Sequence, residues 1–178
     1  MDTSTLIENS LIRWESYSKG DILCNRFPFD KWHQIAGDIH SDKEWEEFVS
    51  RYPNTVKCWL LKRNANNLPI AFIYLYNEDY IWGKVSIYGG GWESPLLYYQ
   101  GYIMMLNYLL EKGIKVRTSC QLSNPTAIRF SRSVGFVPYR YTFEEVFMWI
   151  NYKRLTSTKL YKRFYSATDE NSEGSVGV

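Results

Sequence analysis

The sequence predicts an α/β (α+β) domain built on one mixed, mostly antiparallel sheet of about six to seven strands. Three observations carry this. Strand-like runs at 55–63, 70–76 and 80–88 are joined by spacers too short for a crossover, so they pair as an antiparallel meander. A glycine-rich stretch then leads into a long helix and another strand, an order that favours a parallel pair. Finally, Asn124 to Phe136 reads as a short helix with both ends marked, set between two strands.

Taken in order, residues 1–12 read as a loose or weakly helical lead-in, and 12–23 as a strand ending near Lys19-Gly20-Asp21. Phe27-Pro28-Phe29-Asp30 looks like a loop entering a short helix at 31–36, with Asp30 as its cap. Ser41 to Tyr52 is a better helix: Glu44 follows Ser41 at the capping-box spacing, and Trp45, Phe48 and Val49 share one face. Turn residues at 64–69 and 77–79 separate the meander strands. Gly89-Gly90-Gly91 reads as a loop that frees the backbone once the third run has ended at Tyr88. The following helix runs to about Lys112, with Ile103, Leu106 and Leu110 on one face and Gly113 closing it.

After the strand at 114–122, Asn124 can accept a hydrogen bond from a free N–H of the next helix, and Pro125 suits its first position. Ala127, Phe130 and Val134 share a face, and Gly135 ends the helix. Two more strands follow at 137–141 and 144–152. Residues 151–165 carry five basic side chains and no acid, a solvated basic surface, and 166–178 read as a disordered tail. The predicted division is one domain over 1–165 with its core at about 12–152.

Composition excludes several classes. A net charge of +2 gives no global electrostatic case for nucleic acid. Cys24, Cys58 and Cys120 are too few and too scattered for a disulfide framework or a zinc site, so buried thiols in the cytoplasm are expected and no metal. No signal peptide is apparent at the N-terminus, and no apolar stretch approaches the roughly 20 residues of a membrane span. Aromatic residues at 17%, with 15 Tyr and 7 Trp, fit either a tyrosine-rich core and surface or a ligand cleft or subunit contact.

The stretch from Asn124 resembles the last motif of the GNAT N-acetyltransferase superfamily: Asn, Ala three residues on, and Gly-Phe eleven and twelve on, met here by Asn124, Ala127, Gly135 and Phe136. The tyrosine usual at the seventh position is replaced by Ser131. The order of elements over residues 12–152 is also that of the superfamily. The resemblance implies a GNAT-like fold with helices on both faces of the sheet, and acetyl-CoA as co-substrate. The activity implied is direct transfer of an acetyl group to an amine of a small molecule or peptide. An acyl-CoA-binding or protein-interaction module of the same fold is the alternative, favoured by the lost tyrosine and an atypical phosphate loop. A nucleic-acid-binding module acting through 153–163 ranks last.

The same resemblance assigns sites. Pantetheine would run beside Ser86, Ile87 and Tyr88, and reach Asn124. A helix N-terminus binds pyrophosphate through free N–H groups and its dipole. Counting from a strand end at Tyr88 puts residues 93–98 in the phosphate slot, with Ser94, Leu96, Leu97 and Tyr98 as the contacts; Ser94-Pro95 could instead start the helix a turn sooner. Ser131 would serve the leaving thiolate through water in place of the tyrosine. The general base is unidentified, with Glu78, Asp79, Glu93, Glu144 and Glu145 candidates by type alone; His33 and His40 are read as ordinary residues. Aromatic strands near 144–152 are compatible with a homodimer.

Overall fold

The computed structural model describes residues 5–17, 41–51, 56–91 and 94–165. The predicted helix at 31–36, Cys24, His33, His40, Glu93 and the tail lie outside them, as do the side chains of Trp45, Phe48 and Val49.

The strands are β1 (Thr5–Glu8), β2 (Ile12–Ser16), β3 (Val56–Arg63), β4 (Pro69–Asn77), β5 (Lys84–Gly91), β6 (Lys115–Gln121), β7 (Val137–Tyr141) and β8 (Glu145–Ile150). They form one sheet in the order β1-β2-β3-β4-β5-β6-β8-β7. Every pair is antiparallel except β5 with β6. The meander and the parallel pair therefore stand as predicted. Eight strands exceed the predicted six to seven because residues 5–8, expected as loose lead-in, pair with β2. The turn between them is held by Asn9, whose Oδ1 accepts from the N–H groups of Leu11 and Ile12 at 2.8 and 2.9 Å.

The helices are α1 (Asp42–Arg51), α2 (Pro95–Glu111), α3 (Pro125–Ser133), α4 (Tyr152–Ser157) and α5 (Lys159–Tyr165). At α1 the Ser41 hydroxyl accepts from the Glu44 N–H at 3.2 Å, as the capping-box spacing predicts. Helix α2 packs its apolar stripe onto one face of the sheet, where Ile103, Met105 and Leu106 meet Trp14, Leu61, Ile73 and Ile87, all fully buried. The Trp14 indole N–H donates to the Gly101 carbonyl at 2.8 Å, tying the N-terminal hairpin to α2. On the opposite face Leu60 and Phe72 are equally buried, so both faces of the central strands are covered.

The basic stretch after β8 forms two short helices. Asn151 caps α4 by accepting from the Arg154 N–H at 2.9 Å, and Leu155 is buried. Both short helices pack on α2, where the Tyr161 hydroxyl donates to Asn107 at 3.2 Å. Lys153, Arg154, Lys159, Lys162 and Arg163 remain exposed, as expected of a solvated surface.

The glycine triplet is a second difference. Gly89, Gly90 and Gly91 belong to β5, paired with Ile73, Phe72 and Ala71 of β4, and are not a loop. A Cβ on Gly89 would lie 2.5 Å from the Phe72 carbonyl oxygen and 2.7 Å from Ile73 Cγ2. Local composition reads as a loop; the close approach of β4 is what requires glycine inside a strand.

Candidate functional site

Strands β5 and β6 are parallel neighbours for three residue pairs only, the last being Ser86 with Arg117. Past that vertex they part, and the Thr118 hydroxyl donates to the Ile87 carbonyl at 2.9 Å, bridging the two strands. The Ile87 carbonyl thus points towards β6. Backbone groups alternate sides along a strand, so Gly89 and Gly91 also face β6, where no strand pairs with them among the described residues. The result is a wedge whose β5 wall is unpaired peptide backbone. Of the predicted contacts, Ser86 lies at the vertex, Ile87 has its carbonyl engaged, and Tyr88 pairs with Tyr74 of β4. The open edge belongs to Gly89, which sequence reasoning placed beyond the strand.

Helix α2 begins beside the end of β5. Its N-cap, Ser94, is left-handed (φ 39°, ψ 86°) and makes no side-chain cap bond. Pro95 has no N–H, and the Tyr98 N–H already donates to the Ser94 carbonyl at 3.1 Å. Tyr98 is therefore not the free phosphate-facing donor expected. The frame with Ser94-Pro95 at the helix start is the one adopted, so Tyr98 falls one turn inside. Its ring stacks on Phe130 at 5.0 Å, and burial drives its phenol pKa far up. Leu96 and Leu97 keep free N–H groups among the described residues, and the first turn carries no acid.

On the face away from α2, side chains bridge the wedge. The Tyr88 hydroxyl lies 3.3 Å from Ser119 Oγ, which donates to Glu145 at 3.3 Å. Tyr88 also stacks on Tyr74 at 5.1 Å. Burial raises the Tyr88 phenol above its ordinary value, and the hydrogen bonds from Ser119 and Ser86 offset that only in part. Glu145 has no lysine or arginine within ion-pair distance among the described residues.

Glu78 is different. Lys84 lies 2.7 Å from it and Arg117 3.7 Å, and the Ser86 hydroxyl donates to it. Desolvation works against its charge, but those hydrogen bonds and cations prevail and hold its carboxyl below the usual range. A depressed pKa makes a poor proton acceptor. Asp79 is spent on its turn, accepting from the N–H groups of Ile81 and Gly83 at 3.3 and 3.2 Å, and Glu144 is exposed beyond the sheet. Of the five acids, Glu145 is the one joined to the wedge without a neutralising cation; Glu93 lies outside the described residues.

Asn124 caps α3 as predicted, its Oδ1 accepting from the Ala127 N–H at 3.0 Å. Ser131 does not sit as expected. It is 4% exposed, with its hydroxyl 3.5 Å from the Cys120 thiol. It lies in the core, where the Cys120 thiol of β6 is its side-chain neighbour. Burial raises the Cys120 thiol pKa, against a partial effect of the Ser131 hydrogen bond. Cys58 and Cys120 are buried thiols in no disulfide, as anticipated. No cluster of three or more metal-ligating side chains occurs among the described residues. The missed residues are Gly89, Thr118 and Ser119. Their place at the wedge follows from strand register, which no local pattern displays.

In sequence, no family model and no curated protein matches the chain. In structure it is similar to several solved acetyltransferases. A GCN5-related N-acetyltransferase from Brucella melitensis is 11% identical with a TM-score of 0.69, over 93% of this chain and 86% of that one. The ribosomal L7/L12 α-N-protein acetyltransferase RimL is 12% identical with a TM-score of 0.64, over 82% and 92%. Spermidine N-acetyltransferase from Vibrio cholerae, in complex with CoA and spermine, is 16% identical with a TM-score of 0.59, over 84% and 100%. At such identities the likeness is one of fold, and it agrees with the strand order, the parted β5–β6 pair and the capped helix at Asn124: the chain has the fold of the GNAT N-acetyltransferases.

Proposed function

We propose that the protein is an N-acyltransferase that moves an acetyl group from acetyl-CoA directly to an amine of a small molecule or peptide. The observation that carries this reading is the wedge between β5 and β6, with unpaired backbone at Gly89 on one wall and the N-terminus of α2 at its mouth. The residues present fit acetyl-CoA. The β5 edge offers amide partners for pantetheine at Gly89, beyond the Ser86, Ile87 and Tyr88 that the sequence pointed to. Leu96 and Leu97, just past Ser94, offer N–H groups to the pyrophosphate. Asn124 can contact the pantetheine arm with the amide nitrogen that its cap leaves over.

In this scheme the amine nitrogen attacks the thioester carbon, the C–S bond breaks, and CoA leaves as the thiolate. The Gly89 N–H donates to the oxyanion. Glu145 takes the amine proton through Ser119 and Tyr88, whose phenol stays protonated because it is buried. Ser131, buried against Cys120, takes no direct part. The acceptor enters from the Tyr88 and Glu145 face. The acceptors named for the similar structures range from spermidine to a ribosomal protein. The amine is therefore the common chemistry proposed here. We place the reaction in the cytoplasm, in keeping with the buried thiols of Cys58 and Cys120. No described helix is long and apolar enough to cross a membrane. Exposed Tyr139, Tyr141 and Phe143 around the β7–β8 turn offer a surface for homodimerisation.

The second reading, a binder of acyl-CoA without chemistry, draws on Ser131 in place of tyrosine and on a phosphate loop with few free donors. Calorimetry with acetyl-CoA, followed by an amine-library assay for CoA release, separates the two. Saturable binding plus amine-dependent CoA release supports the transferase. Binding without release supports the binder. No binding to acetyl-CoA or longer acyl-CoAs overturns both.

A further inference from the structure

The wedge opens at the N-terminal end of α2. Under the other end of that helix lies a separate apolar cavity of about 180 Å³. Trp59, Leu75, Trp82 and Val85 wall it from the sheet side, and Met105 and Leu109 from α2. None of these residues belongs to the wedge bridge or to the helix N-terminus described above.

Two lysines stand at this cavity, Lys57 from β3 and Lys112 from the end of α2. The Lys57 ammonium sits 4.3 Å above the Trp82 ring and that of Lys112 sits 4.7 Å above the Tyr108 ring. Neither has a carboxylate partner among the described residues. Both side chains are exposed, and their ammonium ends lie against the aromatic rim of the apolar hollow. A cation over a ring face is attracted by the ring quadrupole, and loses little by turning towards an anion placed beside it.

The Trp82 wall is held at a conformational cost. Tyr80 and Trp82 both adopt positive φ, 60° and 62°, a region that non-glycine residues occupy only when their surroundings enforce it. The Trp82 N–H donates to Asn77 Oδ1 at 3.1 Å, which fixes the turn. The turn thus directs an indole over the cavity and under the Lys57 ammonium.

We propose that this cavity binds a small aromatic monocarboxylate, with its ring in the apolar hollow and its carboxylate between the ammonium groups of Lys57 and Lys112. Size supports one ring: an apolar cavity of about 150 Å³ accommodates a benzene molecule. The volume here holds a ring with a short arm. Charge supports an anion, since two cations face the site and no acid lines it among the described residues. This site is distinct from the wedge and does not depend on what the wedge binds.

Phenylacetate is the probe, followed by ligand-observed NMR on the full chain, with phenylacetamide and phenethylamine as neutral and cationic controls. Saturable binding of phenylacetate is expected, at least tenfold tighter than either control. The double variant Lys57→Met/Lys112→Met is expected to weaken it at least tenfold, while Lys57→Arg/Lys112→Arg retains it; acetyl-CoA affinity and the unfolding midpoint stay unchanged in both. Binding that survives the double methionine variant, controls that bind as well as phenylacetate, or no saturation at tens of millimolar would each overturn the proposal.

Discussion

The Thr118 hydroxyl donates to the Ile87 carbonyl across 2.9 Å, and this bond stands just beyond the last paired residues of β5 and β6. It pins the vertex of the wedge: below it the strands share a ladder, above it they part. Thr118 is 6% exposed, so water does not readily replace it. Thr118→Val keeps the shape and removes the donor, leaving a buried carbonyl short of a partner. The expected loss is about 1–3 kcal/mol, read from urea denaturation. A stability equal to that of the parent would mean that the vertex is held by the ladder alone.

Gly89→Ala sets two effects against each other. Alanine in a strand is ordinarily favoured over glycine by roughly 0.5–1 kcal/mol. Here its Cβ would come within 2.5 Å of the Phe72 carbonyl oxygen, a backbone atom that cannot swing aside. Overpacking of this kind costs about 1–3 kcal/mol, so net destabilisation is expected in chemical denaturation. A more stable variant would show that β4 and β5 can separate at this point.

Glu145→Gln tests the proposed base. It keeps a hydrogen-bond acceptor for Ser119 and removes the proton acceptor. Loss of general-base catalysis typically lowers turnover by about 10²–10⁴-fold, with acetyl-CoA binding unchanged by calorimetry. The parallel Glu78→Gln change is expected to act chiefly on stability, because it strands Lys84 and Arg117. If turnover survives Glu145→Gln but falls with Glu78→Gln at equal stability, the roles are reversed.

Leu97→Pro removes one of the two N–H groups that are free among the described residues at the start of α2. Proline is tolerated in a first helical turn. The expected result is weaker acetyl-CoA binding with the circular dichroism spectrum retained. Asn124→Ala is expected to cost about 1 kcal/mol through loss of the cap, whatever its effect on binding. Full affinity in the proline variant would remove the pyrophosphate from this helix end.

The N-terminal hairpin predicts an acid limb in stability. Glu15 is joined to Arg13 at 2.5 Å and Lys62 at 2.7 Å. Desolvation raises its pKa, but the hydrogen bonds and charges of Lys62 and Arg13 outweigh this, and the net shift is downwards from 4.5. The folded state then binds fewer protons than the unfolded chain, so the contribution is complete above about pH 4.5 and is lost as pH falls through the lowered value. Glu15→Gln should flatten that part of the curve of unfolding free energy against pH. An unaltered acid limb would assign it to other carboxylates.

The sequence alone was enough for features set within a few residues. Asn124, Pro125 and Gly135 mark both ends of α3 because caps and left-handed stops are local chemistry; Gly135 indeed has φ 107°. Short spacers made the meander antiparallel, since no crossover fits between its strands. The superfamily resemblance rested on the same local signals and on their order.

Only the tertiary structure decided which atoms face the wedge. Whether Tyr88 or Gly91 ends β5 depends on pairing with β4, and that pairing moved the open edge to Gly89. Among five acids alike in type, Glu145 was singled out by its register opposite Gln121 on β6, which brings it within reach of Ser119. Ser131 occupies the motif position of a tyrosine, yet its short side chain ends at Cys120 in the core. The cavity under α2 joins Lys57 to Lys112, more than fifty residues apart in the chain. These are distances between segments remote in sequence, fixed by sheet register and helix packing, and no local pattern of residues encodes them.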